Sequence, residues 1–421
     1  GRATAAAEVA AEALALAIEL DDVFLIAGVR LQLANALEAT ARLPEAEAEI
    51  LTAYREAGSA GIDDLEARAA TMAMIIVGVQ LGRVNEGFVW AHAAEVAALR
   101  VEPEQDGGRT AELQYALANL YLETSDLEQA RTAVERAFAI RERLFGAQHP
   151  TTVSTLSTLG VVRYQSGDVR GALADFERVL ALREEMVGPE HNVVGRSAVS
   201  VANAWFGLGD YEQAIAMHRR AVAIFEHTLP PRHPDLGIEQ INLATVLTAG
   251  GHLDEARSVA EPAVAALESE LGAEHPDVVH GWFVLAQVHL AAHRYELAEP
   301  IYRRTLAAEE KVLATDHPEI AHTLLGLGSV ALARDRFEEA EAAFTRARGI
   351  FVRTLGESHR ELASVEELLG QLAQARGRPD DAAAHLRRGL AVLDAAGLSG
   401  GIRERIQARI DALPGAAQLG G

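Results

Sequence analysis

HPDLGIEQINLATVLTAGGHLDEARSVAEPAVAALESELGAE, residues 233–274, is followed at once by a second His-Pro-Asp at His275, Pro276 and Asp277. Histidine returns at the same phase at His149, His191, His233, His275, His317 and His359, 42 residues apart each time. Four of the six precede proline: Pro150, Pro234, Pro276 and Pro318. A constant period of this size marks a stacked repeat protein, in which one supersecondary unit accounts for most of the chain.

With each histidine set at zero, position eleven is always small: Gly160, Ala202, Ala244, Ala286, Gly328 and Gly370. Position twenty-three is alanine throughout, from Ala172 and Ala214 to Ala340 and Ala382. Proline just after the histidine suits a first helical turn, where its missing N–H is no loss. Asp235, Asp277 and Glu319 then sit at the positive end of that helix. Apolar residues at helical spacing continue for about fifteen residues. Gly167-Asp168, Gly209-Asp210 and Gly251-His252 end the first helix, and a second one runs to the next histidine. The two small columns mark where helix backbones come close, because a larger side chain there would overpack the contact.

The small–alanine pairing, the Gly-Asp-Tyr-Glu-Gln-Ala stretch at Gly209 to Ala214 and the Leu-Gly-x-x-His-Pro stretch at Leu271 to Pro276 resemble the tetratricopeptide repeat. The form is the 42-residue one of kinesin light chains and many bacterial signalling proteins. The resemblance implies an all-α fold, a right-handed superhelical solenoid of antiparallel helix pairs. Residues 149–400 form six regular units and 107–148 one more, with Ala118 and Ala130 in the small columns. Two divergent units fill 23–106, with Ala34, Ala46, Ile75 and Gly87 at the corresponding places. Residues 1–22 read as the second helix of a partial repeat. Ile402, Ile406, Ile410 and Leu413 make one apolar stripe, so 401–413 is expected to be a capping helix and 414–421 a loose tail.

The chain has 421 residues, no cysteine and a formal charge of −23, with Lys311 its single lysine. Phosphate backbones would be repelled, so nucleic acid is not an expected partner. The longest apolar run, near Met74 to Val79, is far too short to span a bilayer, and the acidic start does not fit a secretory signal. A cytoplasmic protein without membrane association is expected. The chain starts Gly1-Arg2 without methionine, which leads us to expect a piece of a longer polypeptide with an additional domain before it. Arginine in place of lysine and abundant alanine suggest a bacterial source.

No phosphate-binding G-x-x-x-x-G-K-[ST], H-E-x-x-H or G-x-S-x-G motif occurs. No catalytic residue, cofactor or metal is therefore expected. The histidine ladder cannot close a zinc site, because equivalent positions lie one repeat apart, on the order of 10 Å, while zinc ligands sit about 2 Å from the metal. Helix capping and packing explain it better. Trp205 and Trp282 read as packing residues.

In the family the first helices line a groove that holds an extended peptide or a partner helix. Mapped by phase, position twelve faces it, with Asn203, Thr245, Gln287 and Ser329, and position five neighbours it, with Arg196, His280 and His322. Asn203 and Asn242 match the two asparagines of the family's carboxylate clamp. Val199, His280 and Val284 stand where its basic residues belong, which argues against capture of a C-terminal carboxylate. The expected function is a non-catalytic scaffold binding a protein or peptide segment; the alternative is a regulatory module of a larger bacterial signalling protein, such as a serine/threonine kinase or nucleotide-driven switch.

Overall fold

The computed structural model describes residues 2–397 and 401–413; the tail expectation for 414–421 lies outside them. Among the described residues every regular element is a helix. Packing divides the chain into two compact units, 1–210 and 211–421.

In the first unit, α1 (Arg2–Glu19) precedes the antiparallel pairs α2 (Val23–Glu38) with α3 (Leu43–Ala60) and α4 (Asp63–Ala73) with α5 (Val84–Val101). The pairs α6 (Gly108–Glu123) with α7 (Leu127–Phe145) and α8 (Pro150–Gln165) with α9 (Val169–Val187) follow, then α10 (Asn192–Gly207). The second unit opens with α11 (Tyr211–Thr228). It continues with α12 (Pro234–Ala249) and α13 (Leu253–Leu271), α14 (Pro276–Ala291) and α15 (Tyr295–Val312), and α16 (Pro318–Ala333) and α17 (Phe337–Leu355). The pair α18 (Glu361–Ala375) with α19 (Pro379–Ala395) and then α20 (Gly401–Asp411) complete it. Each helix packs on its sequence neighbours within the unit, and the core is a chain of small apolar clusters between consecutive pairs. At the last of these, Ile406 and Leu413 fill a pocket with Leu386 and Leu393.

Five of the periodic histidines, His149, His191, His233, His275 and His317, are helix N-caps, and His359 stands one residue before the cap position of α18, Arg360. The imidazole Nδ1 of each accepts from the backbone N–H two residues on, at 3.2–3.4 Å. That satisfies one of the orphan donors of a helix start, while Pro150, Pro234, Pro276 and Pro318 remove another. No group of three or more histidines, cysteines or carboxylates among the described residues could hold a metal ion. His275→Ala should lower stability by about 0.5–1 kcal/mol, the lower part of the range for cap removal because the contact is long. His275→Asn should restore the loss in a thermal melt followed by circular dichroism.

First helices end on a left-handed residue. Gly251 takes it at φ 83°, yet the equivalent His293 and Asp335 adopt φ 55° and 57° without glycine's freedom. The small columns close the helix crossings by matched size. A Cβ on Gly160 would lie 2.5 Å from the Phe176 ring, and one on Gly370 2.9 Å from Leu386; the corresponding Ala244 faces a unit in which Ala260 takes the large residue's place. Tyr302 finds its space in the next first helix, against Gly326.

The divergent unit solves the same problem differently. Its first helix runs on from α4 through a π-wound stretch, Met74–Gln80, so that it spans 63–80. The wider winding absorbs the additional residues. The close crossing on α5 is then made by Gly78, not Ile75, with Gly87: a Cβ on Gly78 would lie 2.7 Å from the Gly87 Cα.

Candidate binding face and its cavity

Positions five and twelve of a first helix are seven residues apart, two turns of an α-helix, and therefore share a face. Every candidate residue on that face keeps solvent contact. On α10, Arg196 and Asn203 are exposed. In the second unit His280 is exposed, and Asn242, Thr245, Gln287, His322 and Ser329 are half-buried. The hydroxyls of Thr245 and Ser329 donate back to the Ile241 and Leu325 carbonyls at 3.1 and 2.8 Å, leaving their lone pairs as acceptors. Asn242 is drawn inward, its amide donating to Glu239 Oε2 at 3.3 Å, while Glu239 Oε1 lies 2.6 Å from Nδ1 of the buried His218. Trp282 is buried, its indole N–H donating to Glu268 at 3.3 Å under the Arg304 guanidinium; Trp205 is half-buried.

The second unit also holds a cavity of about 410 Å³ among α14, α15 and α16. It brings together two of the residues read from sequence, His280 of α14 and His322 of α16. The other candidates do not line it. Its apolar lining includes Val279, Phe283, Val312 and Leu313. Its polar lining is acidic: Glu274, Asp277, Glu309 and Glu319, with no arginine or lysine. Phe283 and His280 lie with ring centres 6.4 Å apart and planes 29° from parallel. His322 meets the Phe351 ring edge-on at 5.1 Å.

Glu309, near the end of α15, is 5% exposed. Its Oε1 accepts from the Thr323 hydroxyl at 2.9 Å, and its Oε2 is buried without a hydrogen-bond partner. Burial, reinforced by the neighbouring carboxylates of Glu319 and Glu310 and opposed by Thr323, pushes its pKa up to about 7. Protein crowding the inner edge of His280 pushes that imidazole's pKa below its ordinary value, against the pull of Glu319 and Asp277. Glu309 lies on a second helix, outside the first-helix faces that phase marks for binding. Its signal was present nonetheless: position thirty-four otherwise carries Arg183, Phe225, Leu267, Phe351 and Leu393, and Glu309 is the one acid in that column.

No helix among the described residues is long and apolar enough to cross a membrane. The tetratricopeptide repeat family matches residues 109–185, 193–269, 238–311, 277–351 and 319–395. No curated protein sequence matches the chain significantly. Among solved structures, a Podosopora anserina kinesin light chain with nearly identical tetratricopeptide-like repeats is 26% identical, with 47% of this chain and 93% of that one covered and a TM-score of 0.44. A tetratricopeptide repeat protein from Parabacteroides merdae gives 0.51 at 15% identity, covering 72% and 98%. Rap protein complexed with competence and sporulation factor gives 0.54 at 12%, covering 82% and 96%. These last two are likenesses of fold. With its period, its helix pairs and a family match over more than half its length, the chain belongs to the tetratricopeptide repeat family, in the 42-residue form of kinesin-light-chain type.

Proposed function

We propose that the chain is a non-catalytic scaffold that holds a polypeptide segment against its first helices. The observation that carries this reading is a division of labour within each unit. Positions eleven and twenty-three stay small in all six regular units, while the neighbouring solvent-contacting positions change from unit to unit. Packing requires the first set to be small in every unit and places no such common requirement on the second. Thr245, Gln287 and Ser329 on α12, α14 and α16 offer uncharged donors and acceptors suited to the backbone of an extended segment. Arg196 and Asn203 on α10 are proposed contacts of the same kind, and His280 and His322 adjoin the cavity.

Decapeptides selected on the full chain from a random library test the idea. Replacing Thr245, Gln287 and Ser329 together by alanine should weaken the selected peptides at least about tenfold, since each lost neutral hydrogen bond is worth roughly 0.5–1.5 kcal/mol. Helical content should not change. Undiminished affinity would remove this face from consideration.

A further inference from the structure

Five carboxylates are buried among the described residues: Asp175, Glu239, Glu309, Glu366 and Glu367. Four have a nitrogen partner from a basic side chain. Asp175 meets Arg163 at 2.7 Å and Glu239 meets His218 at 2.6 Å. Glu366 collects Arg348, His385 and Arg388, and Glu367 collects Arg405 and Arg409. Glu309 is the fifth. It has one hydroxyl and one unpartnered oxygen, and it is the one that lines the large cavity.

The chain satisfies its other buried acids with arginine or histidine and leaves this one facing a space with an apolar lining. We propose that the cavity among α14, α15 and α16 is a binding site for a guanidinium group, that of an arginine in the segment bound along the first helices. The identification of the ligand as part of a peptide rests on the function proposed above; the cation site does not. The volume, about 410 Å³, falls in the roughly 300–1,000 Å³ range of small-ligand sites. Val279, Val312 and Leu313 would cover an apolar stem. A planar cation can lie on the Phe283 and His280 rings, whose planes are 29° apart. Its forked N–H groups would donate to the Glu309 carboxylate, with a turn of that side chain opening the enclosed Oε2 toward the cavity, and to Glu319, a carboxylate from the first turn of α16. A lysine ammonium would bring the charge without the plane or the fork. An anionic side chain would meet four carboxylates.

The test uses the full chain and n-propylguanidinium, with n-propylurea, n-butylammonium and butanoate as comparisons. Side-chain carbon–proton spectra report on His280 and His322. Propylguanidinium should shift both rings saturably, bind more tightly than butylammonium, and leave the neutral and anionic analogues without effect. Glu309→Gln should weaken it about tenfold or more, and the exposed Glu319→Gln should weaken it less. Propylurea or butanoate binding as well as the cation would overturn the proposal. So would no shift at either histidine, or full affinity in both variants. If peptides are selected but replacing their arginines by citrulline changes nothing, the cation site fails and the scaffold reading stands. If propylguanidinium binds but no peptide is ever selected, the scaffold reading fails and the cation site stands.

Discussion

Gly328→Val should destabilise the second unit by about 3 kcal/mol, the upper part of the range for overpacking a well-packed contact. A generic helix argument gives the opposite sign for the milder Gly328→Ala, since alanine is favoured over glycine by about 1 kcal/mol inside a helix. The local geometry decides otherwise. A Cβ on Gly328 would fall well inside contact distance of the Phe344 ring, which is fully buried. Even Gly328→Ala should therefore lower the melting temperature. Phe344→Ala alone should cost about 3–5 kcal/mol through the cavity it leaves. In the double variant the added methyl no longer collides with anything, and that pairing already exists in the chain as Ala244 with Ala260. A double-mutant cycle read from denaturant midpoints should accordingly show Gly328→Ala to be harmless or stabilising once Phe344 is gone, a coupling of about 1–3 kcal/mol. Simple additivity would mean that glycine is not present there for space.

That size matching explains why so much of the fold was legible in the sequence. Close crossings recur at one interval, so the residues that permit them recur too, and Gly160, Gly328 and Gly370 share a column with three alanines. Capping is equally local, which is why the histidines could be read as structural before any distance was known. Legibility fails where the cause is not local. The run Met74–Val79 is apolar on every face and carries no phase, so nothing in it reveals the π winding that replaces Ile75 by Gly78 at the crossing. Pro262 lies inside α13 and would end an isolated helix, but Ala256, Ala260, Val264 and Leu267 are buried along the same helix and their packing overrides it. The proposed binding face was legible as helix phase. The cavity was not, because His280, Glu309 and His322 come from three different helices and only the packed structure places them around one space.

Between pH 5 and 8 Glu309 should lower the stability of the second unit as pH rises, against the opposite trend from the lowered His280 and His289, so Glu309→Gln should tilt the curve upward relative to wild type. The native carboxyl of Glu309 titrates at about 7, above the ordinary 4.5, so in this interval the folded chain holds a proton that the unfolded chain has released. The stability this proton confers is fully present below pH 4.5 and is lost as pH passes 7. A shift of that size corresponds to about 2–3 kcal/mol once relaxation around the charge is allowed for. Thr323, Glu319 and Glu310 act directly on the group, and His280 and His322 share its cavity. The difference between the wild-type and Glu309→Gln curves therefore reads residue 309 together with its coupling to these neighbours. Glu366 works in the reverse sense. Burial would raise it, but His385, Arg348 and Arg388 overrule burial and hold it at about 2, so its contribution is present above pH 4.5 and lost in acid. The two carboxyls thus act in separate pH windows, and the difference between wild type and Glu309→Gln in denaturant titrations at pH 5, 6, 7 and 8 reads the Glu309 window without Glu366. Parallel curves for the two proteins would show that Glu309 ionises in the native state at its ordinary pH, and that burial does not hold its proton.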